Sequence, residues 1–197
     1  MIGRDDERGR LSAFVTVAEG QALVLRGETR VGKSALLDHA ARLAARAGQE
    51  VIRAVGVEAE SGLPLAGVHQ LLHSLLPAVD GLDRCTVPCS TPPSGGGTGK
   101  PPSVMSLGIA ALDLLSLAAS TRPLLLLLDD GQWLDAASIA VIGFAGRRLT
   151  GSSVKLVVGL RGGGWTCATP ASLPRPVTWC WTGPRATRWR CSNCPSI

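Results

Sequence analysis

The stretch "ALVLRGETRVGKSALLDHAARLAARAG", residues 22–48, decides the fold. Residues 22–26 form a short apolar run of the kind a buried strand requires. Residues 34–48 place apolar side chains at helical spacing until Gly48 closes the pattern. Between them Gly27, Glu28, Thr29, Arg30, Val31, Gly32, Lys33 and Ser34 fit G-x-x-x-x-G-K-[ST]. The spacing predicts strand, loop and helix in that order. In such a loop backbone N–H groups turn toward the β- and γ-phosphates of a nucleotide and the helix N-terminus adds its positive end. Lys33 supplies a point charge, and the Ser34 hydroxyl can ligate Mg²⁺. A second Gly-Lys pair in "GGGTGKP", residues 95–101, lacks the correctly spaced first glycine, carries Pro101 where the hydroxyl belongs and follows no strand. It is set aside.

A phosphate loop needs a carboxylate to hold Mg²⁺ at the end of a neighbouring strand. "PLLLLLDDGQWLD", residues 123–135, offers one, because Leu124 to Leu128 have the unbroken hydrophobicity of a parallel strand buried on both faces. Asp129 and Asp130 follow at its C-terminal end. Asp129 is expected to bind Mg²⁺ directly or through water, and Asp130 to polarise an attacking water if the site hydrolyses its ligand. The bland alternative is a strand capped by two solvated acids. "SVKLVVGLR", residues 153–161, reads as another buried strand, and its terminal Arg161 is either a sensor of the γ-phosphate or a solvated strand end. "HQLLH", His69 to His73, has metalloprotease spacing, but Gln70 replaces the glutamate base and no third ligand is in view, so both histidines are assigned to an amphipathic helix through "LAGVHQLLHSLL".

At 197 residues the chain has room for one domain with a real core. Its net charge of +5 suggests nucleic acid until the charges are located. All fifteen acidic and sixteen of the twenty basic residues lie in residues 1–164, which leaves that part at +1, while Arg175, Arg185, Arg188 and Arg190 stand in a tail without acids. No basic groove on the main body follows, and direct nucleic-acid binding is not expected. The charged start "MIGRDDERGR" is no export signal, and "SLGIAALDLLSLAA" is interrupted by Asp113, so neither export nor a membrane span is expected and the chain reads as cytoplasmic.

Composition breaks twice. All six cysteines, ten of the thirteen prolines and four of the five tryptophans lie in "CTVPCSTPPSGGGTGKPPS" and in the tail from Trp165, segments without the apolar periodicity found elsewhere. Out-of-frame reading of a GC-rich coding sequence would give this composition; the nucleotide sequence tests it. The competing reading makes Cys85, Cys89, Cys191 and Cys194 a zinc site, although four-thiolate sites usually present two short pairs in ordered knuckles. The expected organisation is a domain over residues 1–164 with an irregular insert at about 83–103, followed by a disordered tail over 165–197.

"IGRDDERGRL", "LVLRGETRVGKSALLDHA", "VGVEAESGLPLAGVHQLLHSLL", "LLLLLDDGQWLD" and "LVVGLR", in that order, resemble the N-terminal ATPase domain of the large ATP-binding LuxR-type transcriptional regulators of actinomycetes. These belong to the signal-transduction ATPases with numerous domains, an AAA+-like branch of the P-loop NTPases. The resemblance covers most of residues 1–82 and 104–161. It implies that Gly27 to Ser34 form the Walker A loop, Asp129 and Asp130 the Walker B pair and Arg161 a sensor, with Gly3 and Arg4 near the base. ATP and Mg²⁺ are the implied ligands. Thr29-Arg30 departs from the usual Ala-Gly, and Gly131 stands where alanine is usual. Four strands are expected, at about 22–26, 51–57, 124–128 and 154–160, in an α/β parallel sheet flanked by helices and incomplete, with the phosphate-loop strand exposed at its edge. The residues that would carry the family's lid, repeats and DNA-reading module are not expected within this sequence, so the chain reads as a truncated switch domain, with self-association left open. Two other readings stand beside it: an inert gene remnant, which a cooperative thermal transition would oppose, and a small-molecule phosphotransferase, which product analysis would separate from a switch.

Overall fold

In the computed structural model, residues 5–28, 30–79, 102–161 and 180–181 are described. Helix α1 (Asp5–Thr16) leads to β1 (Gln21–Gly27), α2 (Lys33–Arg46) and β2 (Glu50–Val55). Helix α3 (Ala66–Leu72) runs on as a 3₁₀ stretch, His73–Val79, and then come α4 (Val104–Thr121), β3 (Leu124–Asp129), α5 (Ala136–Gly146) and β4 (Val154–Arg161). A strand of two residues, β5 (Cys180–Trp181), completes the order. All pairings are parallel, in the order β2-β3-β4-β1-β5.

Strand β3 shows why its leucine run is unbroken. Leu124, Leu126 and Leu128 enter the core formed with Leu71 and Leu75 on one side and Leu114, Leu115 and Ala118 of α4. Leu125 and Leu127 enter the opposite core with Leu11 and Val15 of α1 and Leu36, Leu37, Ala40 and Ala44 of α2. A strand between two helical layers has no wet face, so alternation disappears. Each leucine buried in this way contributes about 1.5–3 kcal/mol relative to exposure. Past the end of α2 at Arg46, Gly48 takes φ 72° while the Gln49 N–H donates to the Ala44 carbonyl at 2.9 Å.

By length and composition alone, α4 could cross a membrane. Here Ala111, Leu114, Leu115 and Ala118 bury one face of it against the sheet layer. Ser103, assigned above to the insert, is instead the cap of this helix and accepts from the Ser106 N–H at 3.1 Å.

The expected strands are found with one shortened end. β2 stops at Val55: the Gly56 N–H still donates to the Asp129 carbonyl at 2.9 Å, but there the acid turn leaves the sheet, and a Cβ on Gly56 would lie 2.3 Å from the Asp130 carbonyl oxygen. The expectation of an exposed β1 edge is corrected in part, since Val24 and Leu25 pair with Cys180 and Trp181. Unpaired strand groups accept any extended segment that reaches them. Among the described residues the rest of that edge of β1 has no strand beside it, and an apolar cleft of about 350 Å³ runs between it and α1, lined in part by Phe14, Leu23 and Leu25. Most of the insert and the rest of the tail, including the four cysteines weighed as a zinc site, lie outside the described residues.

Candidate functional site

Parallel strands deliver their C-terminal ends to one edge of the sheet, and the candidate residues gather there. β1 and β4 are neighbours in a register that sets Gly27 opposite Arg161, and β3 lies on the other side of β4. Three loops therefore meet: the phosphate loop after β1, the acid turn after β3 and the end of β4.

The phosphate loop closes on itself. A Cβ on Gly27 would lie 2.8 Å from Cγ2 of Val31, so any side chain there would push Val31 off the strand end. Gly32 takes φ 88° and starts α2, which has no side-chain cap. Helices α4 and α5 differ: α4 is capped by Ser103 and α5 by Asp135. An uncapped helix start after a left-handed glycine presents N–H groups to an anion. Lys33 reaches back, its Nζ donating to the carbonyls of Gly27 at 2.9 Å and Glu28 at 2.8 Å. Ser34 is exposed in the first turn of α2, and Glu28 is also exposed. Arg30 is exposed with φ 66°, a left-handed conformation that costs a non-glycine residue about 1–2 kcal/mol. Thr29, Gly3 and Arg4 lie outside the described residues.

The acid turn is braced from several sides. Asp129 Oδ1 accepts from the Asp130 N–H at 2.9 Å, and a Cβ on Gly159 of β4 would lie 3.0 Å from that same oxygen. Gly159 is thus the neighbour that leaves space for the carboxylate. Asp130 takes φ 47°, again left-handed. Its Oδ1 accepts from Gln132 Nε2 at 2.7 Å, while Gln132 Oε1 accepts from the Arg161 N–H at 3.0 Å. The Arg161 guanidinium lies 6.0 Å from the centre of the Trp133 ring.

Asp135 ends the turn and fastens it to a segment far away in sequence. Only 4 % exposed, it accepts from the N–H groups of Ser138 at 2.8 Å, Leu65 at 2.9 Å and Gly67 at 3.4 Å. Burial alone would raise its pKa, but these bonds and the Ser138 hydroxyl outweigh it and hold the carboxyl below its ordinary value of 3.8. Leu65, with φ 68°, is the third left-handed non-glycine residue among those described. "SGLPLAG" and "WLD", separate stretches of the resemblance, are therefore one hydrogen-bonded unit.

Sequence reasoning missed Gln132, Asp135 and Gly159. For Asp135 a local signal existed, the spacing of an acid three residues before Ser138 at a helix start. Gln132 and Gly159 act across strands and leave no such trace. The His69 and His73 rings lie 5.0 Å apart, and Gln70, between them, accepts from the Val55 N–H at 2.9 Å and so finishes the edge of β2. Among the described residues no cluster of three or more metal-ligating side chains occurs.

The residues present fit a magnesium nucleotide: an uncapped helix start, a glycine cradle, a lysine over the loop, and two carboxylates on the same edge. No curated protein matches the chain. The model of the AAA ATPase domain family matches residues 1–158, and with its parallel α/β sheet and its phosphate loop the chain belongs to that family, which implies nucleotide binding.

Proposed function

We propose that the domain binds Mg·ATP at the β1–α2 loop, hydrolyses it slowly, and serves as the nucleotide-dependent switch of a LuxR-type transcriptional regulator without itself contacting nucleic acid. The observation that carries this reading is the uncapped start of α2 beside a lysine folded over Gly27, on the same sheet edge as the strand-end carboxylates. In this reading the backbone of Gly27 to Gly32 and the first N–H groups of α2 hold the phosphates, and Lys33 supplies the cation. Ser34 and Asp129 would hold Mg²⁺. When bound, that ion offsets negative charge on the phosphate oxygens. Asp130 keeps Oδ1 engaged with Gln132 and has Oδ2 to accept a proton from water. Arg161, set opposite Gly27, would sense the γ-phosphate. Support for the regulator assignment is the stretch "VGVEAESGLPLAGVHQLL", which resembles that family well beyond the phosphate motif and is tied to the acid turn through Asp135.

Titration with a fluorescent ATP analogue and Mg²⁺, in wild type and Lys33→Ala, together with thermal melting, tests the reading. Saturable wild-type binding that weakens about 100-fold in Lys33→Ala is expected. Equal binding by both proteins, or none, would sink the assignment, and the lack of a cooperative melt would identify an inert remnant.

A further inference from the structure

The side chain of Gln132 hydrogen-bonds to two parts of the site, the acid of the turn and the end of β4. Its amide nitrogen donates to Asp130 Oδ1 at 2.7 Å and its amide oxygen accepts from the Arg161 N–H at 3.0 Å. A carboxylate can only accept and a backbone N–H can only donate, so the amide has one possible orientation here. Glutamate would satisfy Arg161 and repel Asp130; lysine would satisfy Asp130 and offer nothing to Arg161. Among side chains of this length only glutamine meets both demands.

The surroundings leave the turn little freedom. Asp130 is left-handed, and its carbonyl approaches Gly56 too closely for any side chain there. Gly131 is buried, with the position of a Cβ only 2.9 Å from Leu160 and 3.0 Å from Val158 of β4. Strained backbone of this kind persists where the structure around it enforces it, and it clusters at functional turns. The strain fixes the backbone of the acid, and Gln132 fixes its carboxylate.

We propose that Gln132 is a positioning residue that locks the Asp130 carboxylate to the end of β4, so that the candidate base and the sensor Arg161 keep one geometry relative to the phosphate loop. This rests on the hydrolysis reading above. In this role Gln132 acts through Asp130 and Arg161. Oδ1 of Asp130 is held by the amide, and Oδ2 is the oxygen that takes the proton of the attacking water. The link runs along the sheet edge to Arg161, whose register partner is Gly27.

Two one-sided variants break the lock at different ends. Gln132→Glu keeps the acceptor for Arg161 and removes the donor to Asp130, whereas Gln132→Lys keeps the donor and removes the acceptor. In both, kcat for Mg·ATP hydrolysis is expected to fall at least about tenfold. The affinity for the fluorescent ATP analogue stays within about threefold and cooperative melting persists, as P-loop contacts are untouched. An unchanged kcat in either variant overturns the inference, and so does a joint collapse of kcat, affinity and melting, which would make Gln132 merely structural. Wild-type protein that binds the analogue but does not turn over ATP overturns the inference and the hydrolysis it rests on, and leaves nucleotide binding at the β1–α2 loop standing. If wild type and Lys33→Ala bind alike, both fall together.

Discussion

The β1–α2 loop and the β3–α5 loop lie on the same edge of one sheet, and each carries a non-glycine residue in the left-handed region, Arg30 and Asp130. They are held differently. The first is secured by its own atoms: Val31 over Gly27, and Lys33 on the carbonyls of Gly27 and Glu28. The second is secured by other elements, through Gln132 to β4, Asp135 to the start of α3, and the Gly56 N–H to the Asp129 carbonyl. A loop that grips a polyanion must keep its donors available, so it cannot spend them on the rest of the protein. A turn that aims a carboxylate gains from every outside brace, because a misplacement of about 1 Å can cost two orders of magnitude in rate.

Substitutions can break this contrast or sharpen it. The largest effect is expected from Asp135→Ala, which strands the N–H groups of Ser138, Leu65 and Gly67 in a buried place and costs about 3–5 kcal/mol. Chemical denaturation of both proteins measures it. The same comparison has a pH signature. Since the folded pKa of Asp135 lies below its unfolded value, its contribution is complete above the ordinary carboxylate range and is lost as the pH falls through the depressed folded value. Wild type should show that acid-side loss and Asp135→Ala should lack this component. Equal slopes would mean that the acid turn is not braced there.

Next comes Gly159→Ala, whose new methyl would press on Asp129 Oδ1. The Mg²⁺ concentration for half-maximal turnover is expected to rise about tenfold. A magnesium titration that gives the wild-type curve would remove Asp129 from the metal site. Arg30→Gly should have the smallest effect. Relief of the left-handed penalty, offset by the greater freedom of glycine when unfolded, leaves a gain of up to about 1 kcal/mol. Calorimetry should record a rise in Tm of about 2–4 °C; a lower Tm would show that Arg30 makes contacts that outweigh its strain.

Much of the architecture was readable before any coordinates. A glycine-lysine motif between an apolar run and a helical pattern specifies its own local structure, and five consecutive leucines specify a strand with no wet face. The braces were not readable. Gln132 is one polar residue in a turn until β4 lies beside it, and Gly159 is one glycine in an apolar strand until Asp129 stands next to it. Gln70 looked like a defect in a metal motif and is the group that completes the edge of β2. Each of these roles depends on atoms brought close by the sheet, and periodicity carries no record of such pairs. The two-residue β5 was unreadable for a related reason, since nothing in the composition of its segment marks a strand.

The position of β1 also bears on the order in which the protein assembles. Among the described strands β1 is made first, but its long partner is β4, and that pairing closes a loop containing every described strand and helix between them. During synthesis the phosphate loop therefore emerges early and waits, supported by its neighbours α1 and α2, until nearly the whole described sheet has been translated. Closing so long a loop is slow on entropic grounds. The strand end that shapes the nucleotide cradle therefore gains its long backbone partner only after β2 and β3 have been made.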